Sequence, residues 1–173
     1  MKQKLLLHCC CAPCSSAILE HLKDHFDITL YFYNPCITDK EEYYKRANEL
    51  EKFKHWANII IADFEPEEFF EWAELYKDYS EGGTRCSICF SQRLRRTAEF
   101  AKENGFNYFS TTLTISPYKN SAVVNSVGTK CGLAKGVMYM PFDFGFLYIR
   151  SLELCKEYDL YEQDYCGCEY SKN

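Results

Sequence analysis

An α/β fold, a parallel sheet with helices on both faces, is predicted by three features of the sequence. Short runs rich in β-branched and aromatic residues alternate with stretches of helical spacing, the pattern of parallel strands joined by crossover helices. The 173 residues are 47% apolar and 17% aromatic, ample for a packed core. No internal repeat, low-complexity tract or linker interrupts them, so residues 1–173 read as a single domain.

The elements follow in chain order. Residues 4–9, Lys-Leu-Leu-Leu-His-Cys, form a short apolar run that stops at a cysteine and proline cluster, and residues 15–25 then show helical spacing. Residues 26–33 are rich in β-branched and aromatic side chains and end at Asn34-Pro35, giving a second strand. Thr38 or Asp39 is placed as N-cap of a long helical pattern that runs to Ala57. Residues 58–62 make a third strand, and residues 67–76 a helix that is broken by Ser80-Glu81-Gly82-Gly83. Residues 86–104 form another helix, closed by Gly105, and residues 108–113 a fourth strand. A last helix covers residues 151–158. In such sheets binding sites lie beyond the carboxyl ends of the strands, where Cys9–Cys14, Asn34-Pro35 and Ser116-Pro117 all fall.

Charge and hydropathy narrow the class. The apolar run Leu5-Leu6-Leu7 after Met1-Lys2-Gln3-Lys4 is too short for the core of a signal peptide. Charged residues interrupt every hydrophobic segment well before the roughly 18 residues that a membrane span needs. A cytoplasmic protein without a membrane partner is expected, and there thiols stay reduced. The net charge of −5, from 20 Lys+Arg against 25 Asp+Glu, argues against nucleic-acid binding by bulk charge. Arg93, Arg95 and Arg96 nevertheless cluster within one helical turn, while acids gather in residues 63–81. The arginines read either as a solvated helix face or as a local basic patch.

Eleven cysteines carry the chemistry, and most lie in three knots: Cys9-Cys10-Cys11-Ala12-Pro13-Cys14, Cys86-x-x-Cys89 and Cys166-Gly167-Cys168. An iron–sulfur cluster or a zinc ion needs four ligands, hence two close pairs brought together in space. Cys86 and Cys89 at a helix start supply one pair, with the helix dipole favouring their thiolates. The other comes from residues 9–14, as Cys11 with Cys14 for zinc or Cys10 with Cys11 for a bulkier cluster. Spacing alone leaves the two metals open. Cys166-Gly167-Cys168 reads as a strained, easily reduced redox pair or as additional metal ligands. Cys36, Cys131 and Cys155 are isolated and read as core or bystander thiols.

Five blocks together resemble the QueH family of cobalamin-independent epoxyqueuosine reductases: His8-x-Cys10-Cys11-Ala12-Pro13-Cys14-Ser15; Tyr33-Asn34-Pro35; Glu81-Gly82-Gly83-x-Arg85-Cys86-x-x-Cys89; Thr111-Thr112-Leu113-x-x-Ser116-Pro117-x-Lys119; and Tyr165-Cys166-Gly167-Cys168. They run in order from residue 5 to about residue 171, and the chain departs from the pattern at Cys36, where asparagine is expected. The resemblance implies reduction of epoxyqueuosine to queuosine at the wobble position of tRNA anticodons. It implies a 4Fe-4S cluster held by Cys10, Cys11, Cys86 and Cys89, and a redox-active disulfide between Cys166 and Cys168. The implied fold is Rossmann-like, similar to the ATP-pyrophosphatase/HUP layout, with the iron–sulfur site at the carboxyl edge of the strands.

In that scheme Cys14 is free to bind an additional iron. His8, Tyr33 and Asp143 are candidate acids, and an unidentified donor supplies electrons. Lys45, Arg46, Arg85, Arg93, Arg95, Arg96 and Lys119 are the charges expected to meet tRNA, with Tyr43, Tyr44 and Tyr118 for stacking. Two rival readings exist. A zinc-stapled α/β binding module leaves Cys166-Gly167-Cys168 unexplained. A sulfur-transfer tRNA-modifying enzyme would start with the same strand, loop and helix, but the glycine-rich loop that holds pyrophosphate is missing.

Overall fold

The computed structural model describes residues 1–172. Five strands, β1 (Gln3–His8), β2 (Phe26–Phe32), β3 (Asn58–Ile61), β4 (Tyr108–Thr111) and β5 (Met138–Tyr139), form one sheet in the order β3-β2-β1-β4-β5. Every pairing is parallel: Leu7 sits opposite Leu30 of β2 and Ser110 of β4. Among the described residues six α-helices surround it: α1 (Ala12–Leu22), α2 (Lys40–Glu49), α3 (Glu67–Ala73), α4 (Thr84–Glu103), α5 (Ser121–Lys135) and α6 (Tyr148–Glu157). The chain winds outward from β1 through β2 to β3, then crosses back to β4 on the other side of β1. The strand order therefore reverses between β1 and β4, where such sheets open a crevice. No helix among the described residues is long and apolar enough to cross a membrane.

The central strand shows why both faces need helices. Leu5 and Leu7 point into a core with Ile18 and Leu19 of α1 and Leu154 of α6, whereas Leu6 points the other way, toward Leu94 and Ala98 of α4. All three leucines are fully buried; each such side chain removed from water contributes about 1.5–3 kcal/mol. The two-residue period of a strand thus feeds two cores at once.

The four expected strands form, and the helices differ mainly at their ends. Asp39 caps α2 by accepting the Glu42 N–H at 2.8 Å, but the helix predicted to run to Ala57 ends at Glu49. The chain tightens there into a 3-10 turn, Leu50–Phe53, which sets the fully buried Leu50 and Phe53 above one another on the core side. The fourth strand stops at Thr111, whose hydroxyl accepts the Leu113 N–H and starts a 3-10 turn over Thr112–Ile115. At the end of α4, Gly105 takes a left-handed φ of +69°, as a terminating glycine should.

Helix α5 and strand β5 were not expected. Gly128 and Gly132 dilute the helical signal of α5, and β5 has only two residues. The glycines have a packing reason: a Cβ on Gly128 would lie 2.4 Å from the Tyr139 ring, and one on Gly132 2.7 Å from the Val137 carbonyl oxygen. Close approach of α5 to β5 therefore outweighs helix propensity. We predict that Gly132→Ala lowers stability by about 1–3 kcal/mol despite its better propensity, because a backbone oxygen cannot step aside. Urea unfolding measures it, and an unchanged or raised midpoint would refute this account.

Candidate functional site

The loop after β1 distributes three consecutive cysteines to different surroundings. Cys9 extends the strand, its N–H donating to Tyr31 O at 3.0 Å and its carbonyl accepting Asn34 Nδ2 at 2.9 Å. Its side chain enters the apolar core on the α1 side, and burial pushes the thiol well above its ordinary range. Cys10 and Cys11 point to the other side, and their sulfurs lie with that of Cys14 within 4.8 Å of one another. Cys11 is the N-cap of α1: its sulfur accepts the Cys14 N–H at 3.4 Å, while the neighbouring Cys10 thiol pushes Cys11 up to about 12. The Cys10 thiol is held well below its ordinary range by the Cys11 and Cys14 thiols, with burial opposing and Lys119 and Arg93 assisting.

Facing this loop, the N-terminal turn of α4 presents Cys86 and Cys89. The left-handed turn at Gly82, φ +83°, aims its N–H at Cys86 Sγ, 3.2 Å away. Cys36, read as a core or bystander thiol, stands beside Cys89, whose thiol is the main cause of lowering Cys36 to about 7. The C-terminal segment completes the ring. Arg46, only 2% exposed, donates from Nη1 to Cys166 O at 3.0 Å and from Nη2 to Tyr165 O at 3.1 Å, while Glu42 holds its Nε at 2.6 Å. Gly167 has φ +112°, and a Cβ there would lie 2.6 Å from Ile37 Cγ1, so the Cys-Gly-Cys turn is clamped from both sides.

These three segments enclose one cavity of about 90 Å³. Cys10, Cys14, Cys36, Cys86, Cys89, Cys166 and Cys168 all line it. Its cationic lining is equally marked: Arg46, Arg85, Arg93 and Lys119. Arg93 is 5% exposed and has no carboxylate partner among the described residues; it donates to Cys89 O and Asn34 Oδ1, both at 3.4 Å. Burial disfavours its charge, but the sulfurs of Cys36, Cys89, Cys10 and Cys166 outweigh that and hold it protonated. Arg85, 3% exposed, donates to Lys77 O and Tyr79 O and leaves Nε buried without a partner.

Several expectations are corrected by this placement. Arg46, Arg85 and Arg93, expected to face tRNA, are buried at or behind the cysteines, because their helix positions point inward; Arg95 and Arg96 are exposed. Lys119 stands half-buried in the cavity wall, and Lys45 lies over the Tyr161 ring. Tyr43 is buried, Tyr44 partly exposed, and Tyr118 84% exposed. None of the three candidate acids lines the cavity. His8 is fully buried and bonds Tyr33 O through Nε2 at 3.1 Å and Thr111 Oγ1 through Nδ1 at 2.9 Å. A carbonyl only accepts, so Nε2 carries the hydrogen; burial and then Arg93 push this histidine down to about 4 and keep it neutral. Tyr33 donates to Glu68, and Asp143 accepts from Ser121 on the surface. Cys166 and Cys168, expected to cycle between dithiol and disulfide, are both free thiols here, the reduced form of such a pair.

A family model described as epoxyqueuosine reductase QueH matches residues 5–173. The chain belongs to the QueH family. Proteins named epoxyqueuosine reductase QueH from Streptococcus pyogenes and Staphylococcus epidermidis are 42% and 40% identical to it, over 99% and 98% of this chain and 71% and 76% of their own lengths. One of the same name from Thermotoga maritima is 36% identical over 96% of this chain and 89% of its own length.

Within this QueH site, sequence reasoning missed Gln163, set Cys36 aside as a bystander and gave Arg46 to tRNA instead. Cys36 had a usable signal, its position directly after Asn34-Pro35 at a strand end. Arg46 and Gln163 had none, since nothing local distinguishes them from surface residues. The two C-terminal thiols are unequal: the Cys168 thiol, aided by Ser171 against the opposing burial, lowers Cys166 to about 5, while Cys168 is raised. Cys166 is thus a thiolate at neutral pH. We predict that its alkylation by iodoacetamide is nearly flat from pH 7 to 9 and falls only toward pH 5, whereas an ordinary thiol slows about tenfold per unit below ~8.5. Peptide mass spectrometry reads the rates, and an ordinary profile at Cys166 would overturn the assignment.

Proposed function

We propose that this chain reduces epoxyqueuosine to queuosine in tRNA, with Cys10, Cys11, Cys86 and Cys89 holding a 4Fe-4S cluster and Cys166 with Cys168 acting as the redox pair. The observation that carries the reading is that one enclosed cavity gathers cysteines from all three knots in a member of this family. The donor set suits an iron–sulfur cluster: thiols on two facing segments, backbone N–H groups already directed at Cys11 and Cys86, and buried guanidinium groups that need an anion. Four thiolates around such a core carry net negative charge, which Arg93 and Arg85 are placed to balance. Cys14, within reach of Cys10 and Cys11, remains for an additional iron. When bound, the cluster and that iron supply Lewis acidity toward the epoxide oxygen and single-electron steps.

The chain's own residues account for the rest. Converting an epoxide to an alkene requires two electrons and two protons and releases the oxygen as water. The Cys166 thiolate and the Cys168 thiol provide both electrons and one proton as they close to a disulfide, the second proton comes from solvent water, and an external reductant reopens the pair. Arg46 holds the two sulfurs in one turn throughout, through the carbonyls of Tyr165 and Cys166. Lys119, whose charge burial opposes and the Cys10 and Cys14 sulfurs favour, lies in the same wall and stabilises negative charge on the departing oxygen. Arg95 and Arg96, exposed on α4, meet the tRNA backbone, and the reaction takes place in the cytoplasm.

Two expected outcomes separate these roles. Cys86→Ser or Cys89→Ser should lose most of the iron and part of the stability, because the ligands join segments about 75 residues apart and metal binding is coupled to folding. Iron assay and anaerobic absorption near ~400 nm measure this, and full iron in Cys86→Ser would remove that pair from the ligand set. Cys166→Ser and Cys168→Ser should keep the cluster spectrum yet abolish multiple turnover of epoxyqueuosine-containing tRNA. Wild-type turnover in either variant would end the redox-pair reading.

A further inference from the structure

A second cavity, of about 160 Å³, opens beside the cysteine chamber. The two share a wall made of Cys14, Tyr118 and Gln163. Ile115 and Leu152 give the outer cavity apolar sides, and the exposed carboxylate of Glu162 stands at its rim. In the shared wall, Gln163 Oε1 is buried and accepts no hydrogen bond from any described residue. A buried carbonyl without a donor is costly, so this atom calls for an N–H or O–H that the chain does not itself supply. Tyr118, 84% exposed, lies over the mouths of both cavities with no aromatic neighbour among the described residues, as a stacking surface would.

From this arrangement, and resting on the reductase reading above, we infer that the outer cavity binds the 7-deazaguanine base of the substrate. Epoxyqueuosine has three parts: a flat deazaguanine, an aminomethyl arm with a secondary amine, and a cyclopentane ring that carries the epoxide. The two cavities and their shared wall match those parts in order. The epoxide end of the ring reaches the edge of the cysteine chamber at that wall, the cluster taking the chamber itself; the arm lies along the wall, and its N–H donates to Gln163 Oε1. One ring of the base lies in the outer cavity, a void of about 150 Å³ being enough for benzene, and the other remains at its open side under Tyr118. Tyr118 stacks on its face, and Glu162 accepts from the N–H donors of its guanine-like edge. Gln163 is then a specificity residue: it reads the amine that distinguishes the modified base from guanine.

The test uses anaerobically purified protein and an anticodon stem-loop RNA with either epoxyqueuosine or guanosine at the wobble position. Gln163→Leu keeps the volume and removes the acceptor; it should weaken binding of the modified RNA about 10-fold and leave the guanosine RNA unaffected. Tyr118→Ala, on an exposed loop position, should weaken binding of both about 10-fold. Tyr118→Trp should restore affinity, and its tryptophan emission should be quenched on binding. Unchanged affinity of Gln163→Leu for the modified RNA, or unquenched emission in Tyr118→Trp, overturns the assignment while wild-type turnover leaves the reductase reading standing. A wild-type protein that neither prefers the modified RNA nor reduces it removes both.

Discussion

A buried guanidinium surrounded by sulfur is the constraint on which the rest of the site depends. Arg93 sits below the cavity with only two long hydrogen bonds to neutral oxygens, an arrangement that would leave a charge unpaired if the surrounding thiols were all neutral. The sulfurs of Cys36, Cys10 and Cys166, whose thiols are all lowered, supply the compensation, and these come from three separate segments. The cation therefore does what a core residue does elsewhere: it makes distant parts of the chain depend on one another. It also biases the cavity toward thiolate, the form that both binds metal and gives up electrons.

Such an arrangement needs a scaffold that delivers loops to a common place, and the parallel sheet does so. Every strand ends on the same edge, and the reversal of order between β1 and β4 leaves a gap into which the first cysteine loop and the Thr112–Lys119 segment both run. α4 then enters with its N-terminus toward that gap, which places Cys86 in its first turn and Cys89 in its second, both against the cavity. The third knot has no strand to carry it and is fastened by side chains. Arg46 of α2 grips its carbonyls, and Ile37 closes on Gly167.

The two halves of the site are held in different ways. The first two knots are continuous with β1 and α4 and share in their core. The Cys-Gly-Cys turn lies outside the strands and is held by Arg46, Ile37 and Ser171.

Local chemistry made much of this legible. Strand runs ending at Cys9 and Asn34, the capping Asp39 and the closing Gly105 are decided by residues close in sequence, and so are the three cysteine knots. A first-neighbour reading fails where packing overrules propensity, as in α5, whose glycines look like helix breakers until Tyr139 and Val137 are seen against them. It fails likewise for charge. Nothing within a few residues tells Arg93 from Arg95, yet one turn of α4 sends the first among the sulfurs and the second into water. His8, Arg46 and Gln163 belong to the same class, since their roles depend on partners 25 to 120 residues away or on a cavity that no single segment forms. By itself the sequence determined which thiols are grouped and which strands lead to them. Tertiary structure alone decided which cations, acceptors and walls face those thiols, because burial and electrostatic pairing are properties of the assembled chain.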